Sequence, residues 1–191
     1  MDAITETNTV KESMEMIIKE HVGVSQNFQF DALNAIVPIL EKAHNIFLIG
    51  AGRTGFMVRA AAMRLMHLGY AVHVVGETTT PAIGKGDVLI AASGSGTTGS
   101  IVRAAQTAFK EGAEVICFTT NRESHLAELA QYTIVVPAAG KQDHHGTVSA
   151  QYAGSLFEQS FLLLFDALIQ HLWKIGGSTP EELWKRHANM E

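Results

Sequence analysis

The sequence predicts an α/β fold: a three-layer, doubly wound, five-stranded parallel sheet with extra helices at both termini. Five short apolar runs recur between residues 46 and 136, and helical segments separate most of them. The runs are too uniformly apolar for strands with one wet face, and strands covered by helices on both faces have that composition. Strands alternating with crossover helices pair in parallel, with right-handed connections.

Each element follows from its own pattern. Val10, Met14, Ile17, Ile18 and Val22 form an i, i+4, i+7, i+8 stripe, so residues 8–22 read as a helix capped by Asn8 or Thr9. A second helix runs from about Phe30 to Ala43 on Leu33, Ile36, Val37 and Leu40, with Pro38 expected to bend or split it. Ile46–Ile49 is the first strand, and Gly50–Gly55 opens a helix through about Leu68. Ala71–Val75 and Val88–Ala92 are the second and third strands, with residues 100–111 the helix after the third. Val115–Phe118 is the fourth strand; Ser124 caps a short helix to Ala130, and Tyr132–Val136 is the fifth strand, ended by Pro137. A long apolar helix spans about Ser155 to Lys174, and Thr179-Pro180-Glu181-Glu182 opens a last short helix with an N-cap, an N1 proline and an N3 glutamate.

The 191 residues suit one domain. Within it, 1–44 form N-terminal helices, 45–137 the β/α core, 138–153 a long loop and 154–191 C-terminal helices. Hydrophobic residues make up 47% of the chain, enough for a sizeable core. A net charge of −5 without a basic run argues against nucleic acid or an anionic membrane as partner. No secretory signal and no apolar stretch of membrane-spanning length is visible, and the single Cys117 excludes an internal disulfide. These features fit a reducing cytoplasm, with Cys117 a buried, inert thiol.

The chemistry points to the turns beyond the strands, where ligands of such sheets sit. Ser93-Gly94-Ser95-Gly96-Thr97-Thr98 follows a strand and precedes a helix. The first N–H groups of that helix are unpaired at the positive end of its dipole, glycines admit close approach, and one cap needs one hydroxyl where this loop has four. Without a basic side chain, it reads as a neutral cradle for one phosphate rather than a Walker loop. Gly50, Gly52 and Gly55 match the dinucleotide fingerprint G-x-G-x-x-G, but no acidic residue closes the second strand as that motif requires; Glu77 follows it in a broad loop. His144-His145 lacks a nearby cysteine or carboxylate pair and reads as polar loop rather than metal site. By spacing alone, Ser155-Leu156-Phe157-Glu158 is a capping box, Glu158 bonding back to the N–H of Ser155.

Several motifs together resemble a known family. They are Gly50-Ala51-Gly52-Arg53-Thr54-Gly55, Met63-Arg64-Leu65-Met66-His67-Leu68-Gly69, Gly76-Glu77-Thr78-Thr79-Thr80-Pro81, Ser93-Gly94-Ser95-Gly96, Gly154-Ser155-Leu156-Phe157-Glu158 and Arg186-His187-Ala188-Asn189-Met190-Glu191. From about residue 46 to the C-terminus the chain is similar to the 6-phospho-3-hexuloisomerases of the sugar isomerase (SIS) family, phosphosugar-binding domains of flavodoxin-like topology. Thr97 departs from the family, where glutamate is common, as does Arg122, where proline is common.

The resemblance implies an isomerase of formaldehyde fixation by the ribulose monophosphate route. It would interconvert D-arabino-hex-3-ulose 6-phosphate and fructose 6-phosphate through an enediol(ate), with no metal or redox cofactor. Thr54, Ser93, Ser95 and Thr98 would hold phosphate, Arg53 and Glu77 sugar hydroxyls. Glu158 would be the base, and His187, delivered by a neighbouring subunit, a proton shuttle or hydroxyl donor. His67 reads as packing or capping. The implied assembly is a homotetramer, a dimer of dimers with sites at subunit interfaces, the N-terminal helices and C-terminal tail crossing between subunits. Alternatives are another aldose–ketose phosphosugar isomerase or a non-catalytic phosphosugar sensor.

Overall fold

A computed structural model describes residues 9–139, 149–152 and 154–190. Strands β1 (Ile46–Gly50), β2 (Val72–Val74), β3 (Val88–Ala92), β4 (Glu114–Thr119) and β5 (Tyr132–Val135) form one all-parallel sheet in the order β2-β1-β3-β4-β5. The helices are α1 (Val10–Asn27), α2 (Phe30–Lys42), α3 (Gly52–Leu68), α4 (Gly99–Lys110), α5 (His125–Leu129), α6 (Ser155–Gly176) and α7 (Pro180–Trp184). The predicted α/β architecture is the one observed.

Alternation along each strand divides the core in two. Ile46, Leu48, Ile90, Ile116, Phe118 and Ile134 point to the face covered by α2, α3 and α6, while Phe47, Ile49, Leu89, Ala91, Val115 and Cys117 point to α4 and α5. Phe118 meets Phe161 of α6 edge-on at 5.0 Å between ring centroids. Each such buried side chain contributes about 1.5–3 kcal/mol over an exposed one.

Helix ends explain the shifts from expectation. Thr9 caps α1 through a capping box with Glu12, and the helix continues past Val22 because Val24 is buried against the core. Pro38 neither splits nor stops α2: it lies on the exposed face, as does Asn34, whose carbonyl loses its helical partner to the proline and can turn to water. Thr179 and Glu182 make the expected capping box of α7. At α6 the expectation fails. Gly154, at φ 81°, is the N-cap, which moves Ser155 into the helix and leaves Glu158 without a cap role.

Candidate active site

After β1 the chain winds to β2 on one side, whereas β3 lies on the other, so the order reverses between β1 and β3. A crevice opens at the carboxyl ends of strands at such a reversal. Ala51, Gly52 and Thr54 from the β1–α3 turn and Ser93, Gly94, Ser95 and Thr98 from the β3–α4 turn line a pocket of about 90 Å³ there. This is room for a small group such as a phosphoryl. Pockets for whole larger ligands start near ~300 Å³, so this one is of a size for a single small group. Gly50 and Gly55 serve packing: a Cβ on Gly50 would stand 2.8 Å from Cγ2 of Val58, and one on Gly55 3.0 Å from the Gly50 carbonyl oxygen.

The β3–α4 turn is held in shape by its own hydroxyls. Ser93 and Thr98 share a hydrogen bond of 2.9 Å, the N–H of Gly96 donates to Ser93 Oγ at 3.2 Å, and Thr97 Oγ1 donates to Ser95 Oγ at 3.1 Å. Thr119 and Thr120 clamp it from β4, both hydroxyls donating to the Gly94 carbonyl. Gly96 sits at φ 63°, where a Cβ would overlap Ser124 Oγ at 2.0 Å; no other residue fits. Thr98 is the N-cap of α4 but its side chain caps nothing, being turned to Ser93. The first N–H groups of α4, at Gly99 and Ser100, lack helical acceptors by the geometry of any helix start.

Glu158 lies beside this cradle. The α6 N-terminus packs on the end of β3, with the ring of Phe157 3.3 Å from where a Gly94 Cβ would be. The next residue, Glu158, is 5% exposed and its Oε2 is 3.1 Å from Nη1 of Arg53, which also donates to Ser155 Oγ at 3.0 Å. Arg53 is the neighbour of the cradle residues Gly52 and Thr54, and its side chain is half exposed. A buried carboxylate, a guanidinium with a solvent-facing side and a phosphate-sized pocket thus share one crevice.

The remaining predicted residues go elsewhere. Glu77 is paired with Arg59 of α3 on the surface and does not line the cradle. His187 stacks on His67 at 4.0 Å between centroids, with Trp184 stacked on it at 4.6 Å. Within one chain this pair is remote from Glu158: Arg53 and His67 are about 21 Å apart along α3 at 1.5 Å per residue. His67 is buried as expected, and burial first, then His187 and Arg64, pull its imidazole below its usual value. The Nδ1 atoms of His67 and His187 are buried without hydrogen-bond partners among the described residues, at the wall of a cavity of about 380 Å³ shared with Arg64, Asp166, Gln170 and Trp173. The tail folds back on its own chain, Arg186 donating to the His67 carbonyl at 3.0 Å. Burial pushes the Cys117 thiol up to about 12, so it is inert as expected. His144 and His145 lie outside the described residues. Among those described, no group of three or more acidic, histidine or cysteine residues could hold a metal, and no helix is long and apolar enough to cross a membrane.

Sequence reasoning missed the Arg53–Glu158 pair and the His67–His187 stack. Both join segments more than 100 residues apart, and nothing in local spacing signals them.

Comparisons with known proteins give the family. The SIS domain family model matches residues 39–163. The chain is 55% identical over 146 residues to 3-hexulose-6-phosphate isomerase of Mycobacterium gastri, covering 76% of this chain and 73% of that protein. It is 41% identical over 150 residues to 3-hexulose-6-phosphate isomerase of Bacillus subtilis, covering 78% and 81%. A Methanococcus jannaschii protein, whose crystal structure led to an inferred molecular function of 3-hexulose-6-phosphate isomerase, superposes with TM-score 0.80 at 30% identity over 94% of this chain and 99% of that one. By the family model and by similarity over most of its length, the chain belongs to the SIS domain family.

Proposed function

We propose that this protein interconverts D-arabino-hex-3-ulose 6-phosphate and fructose 6-phosphate. The observation that carries the reading is the buried Glu158, held by Arg53 next to a phosphate-sized hydroxyl cradle, in a chain 55% identical to a named 3-hexulose-6-phosphate isomerase. Thr54, Ser93, Ser95 and Thr98, with the N-terminus of α4, bind the phosphate and fix the sugar chain. Glu158 takes the C2 proton of the 3-ketose, and the electron pair of that C–H bond moves into the C2–C3 bond as the C3 carbonyl becomes an enediolate oxygen. Transfer of the O2 proton to O3 and return of the carbon proton from Glu158 to C3 leave the carbonyl at C2 and a hydroxyl at C3. Arg53 donates to the oxygens that carry charge along the way.

The same reading includes a homo-oligomer, a dimer of dimers, with sites at subunit interfaces. Phe56, Met63 and Met66 expose 67%, 57% and 39% of their surface along α3. If two copies of α3 packed antiparallel about Ala60, position 53 of one would face position 67 of the other, because 53 and 67 are equally far from 60. The His67–His187 cavity of one subunit would then cover the Arg53–Glu158 end of its partner, supplying His187 as proton shuttle between O2 and O3. Imidazole nitrogens at the wall of that cavity that no described residue hydrogen-bonds suit the task.

The test is turnover of hexulose 6-phosphate by the purified protein. Formation of fructose 6-phosphate is expected. Binding without turnover would make the chain a phosphosugar sensor, and turnover of a different ketose phosphate alone would move it to another isomerase.

A further inference from the structure

Helix α1 carries two polar residues that grip the segment around Glu158 from both sides. Before it, the Glu20 carboxylate accepts three hydrogen bonds: Ser149 Oγ at 2.8 Å and Gln151 Nε2 at 2.8 Å on Oε2, and the Ala150 N–H at 2.7 Å on Oε1. Ser149 is buried, and its hydroxyl oxygen also accepts the N–H of Gln151 at 3.1 Å, so residues 149–151 are folded around one carboxylate. After it, Nε2 of His21 meets Gln159 Oε1 at 2.9 Å. Between these grips lie the left-handed turn at Gly154, then Ser155 and Glu158, the two α6 residues that meet Arg53.

We propose that Glu20 is a positioning residue of the active site: by tying down residues 149–151 it fixes the Gly154 turn and hence the first turn of α6 that aims Glu158 at the substrate. The role of the aimed residue rests on the isomerase reading above. Glu20 touches neither the cradle nor Arg53 and contributes through placement alone. The carboxylate is kept charged for the task. Burial would push its pKa up, yet the bonds from Gln151, Ala150 and Ser149, with His21 adjacent, hold it below the ordinary carboxylate value. A charged acceptor of three donors is a stiff anchor, since such bonds are shorter and stronger than neutral ones. Glutamine in its place would present an NH2 group to donors.

The experiment compares wild type with Glu20→Gln, and with a Ser149→Ala/Gln151→Ala double variant that removes two donors from the other side and serves if the first does not fold. Amide hydrogen exchange over 149–158, affinity for inorganic phosphate, and kcat and KM for hexulose 6-phosphate are read on each. The expected result is exchange at least tenfold faster over 149–152 and at Ser155–Glu158, kcat at least tenfold lower, and phosphate affinity and KM within about twofold of wild type. Unchanged exchange at Ser155–Glu158 would overturn the proposal, as would a KM rise with kcat intact. Should wild type itself lack turnover, the isomerase reading fails, and the exchange arm still decides whether Glu20 sets the α6 start.

Discussion

The hydroxyls of Ser93 and Thr98 hold each other at 2.9 Å with no charged group among the residues lining their pocket, and this sets what the cradle can do. It offers neutral donors and a helix N-terminus, which suit one phosphate monoester. Replacing Ser95 and Thr98 by alanine removes two donors without touching the core. A hydrogen bond to a charged partner contributes about 1.5–3 kcal/mol. The double variant should therefore bind both inorganic phosphate and fructose 6-phosphate at least tenfold more weakly, by calorimetry, with a melting temperature lowered only by the few degrees that loss of the Ser93–Thr98 and Thr97–Ser95 bonds costs. Equal affinity in wild type and variant would remove the phosphate from this loop. That Ser93, Ser95 and Thr98 line one pocket was legible because the feature is local: one strand end, one turn and one helix start supply them. Glu158 was not legible from spacing. Ser155-x-x-Glu158 has the form of a capping box, and what decides against it is Gly154, whose positive φ starts the helix one residue earlier. A further hundred residues separate Glu158 from Arg53, so no local pattern could pair them.

Among elements, α3 joins the most functions. Its N-terminus lines the cradle and carries Arg53, its buried side packs on β1 and α6, and its exposed side presents Phe56 and Met63. Its start and end were readable from Gly50–Gly55 and from Gly69, which takes the left-handed C-cap at φ 99°. Its outer face was not singled out, since exposed methionines on one helix are common and gain meaning only from the two half-sites at its ends. If α3 pairs with a second α3, Met63→Arg places two cations in an apolar contact. Sedimentation should then show a smaller species, and turnover should fall at least tenfold while phosphate affinity holds, because the cradle belongs to one chain. A variant of wild-type mass and rate would show that subunits meet elsewhere.

Across the whole molecule, topology explains why the site is where it is. Uniformly apolar strands dictated a sheet covered on both faces, and the four turns Gly50–Gly55, Glu77–Pro81, Ser93–Thr98 and Thr119–Arg122 fall at its carboxyl end. The order β2-β1-β3-β4-β5 then selects the gap between β1 and β3 from among them. Strand order is a long-range property, so sequence pattern foresaw the loops and their common edge but not which two would face each other. Glu77, in one of the four, shows the difference: it shares the edge and pairs with Arg59 instead of joining the cradle. What unites the crevice into an isomerase is a base that can take a proton from carbon. Glu158→Gln preserves side-chain volume and an oxygen for Arg53, and Glu158 caps nothing that the helix would lose. The most direct measurement is kcat for hexulose 6-phosphate in this variant alongside its affinity for fructose 6-phosphate. A loss of about 10²–10⁴ in kcat with affinity within about threefold is the predicted result. A near wild-type kcat would contradict the account and place the base elsewhere.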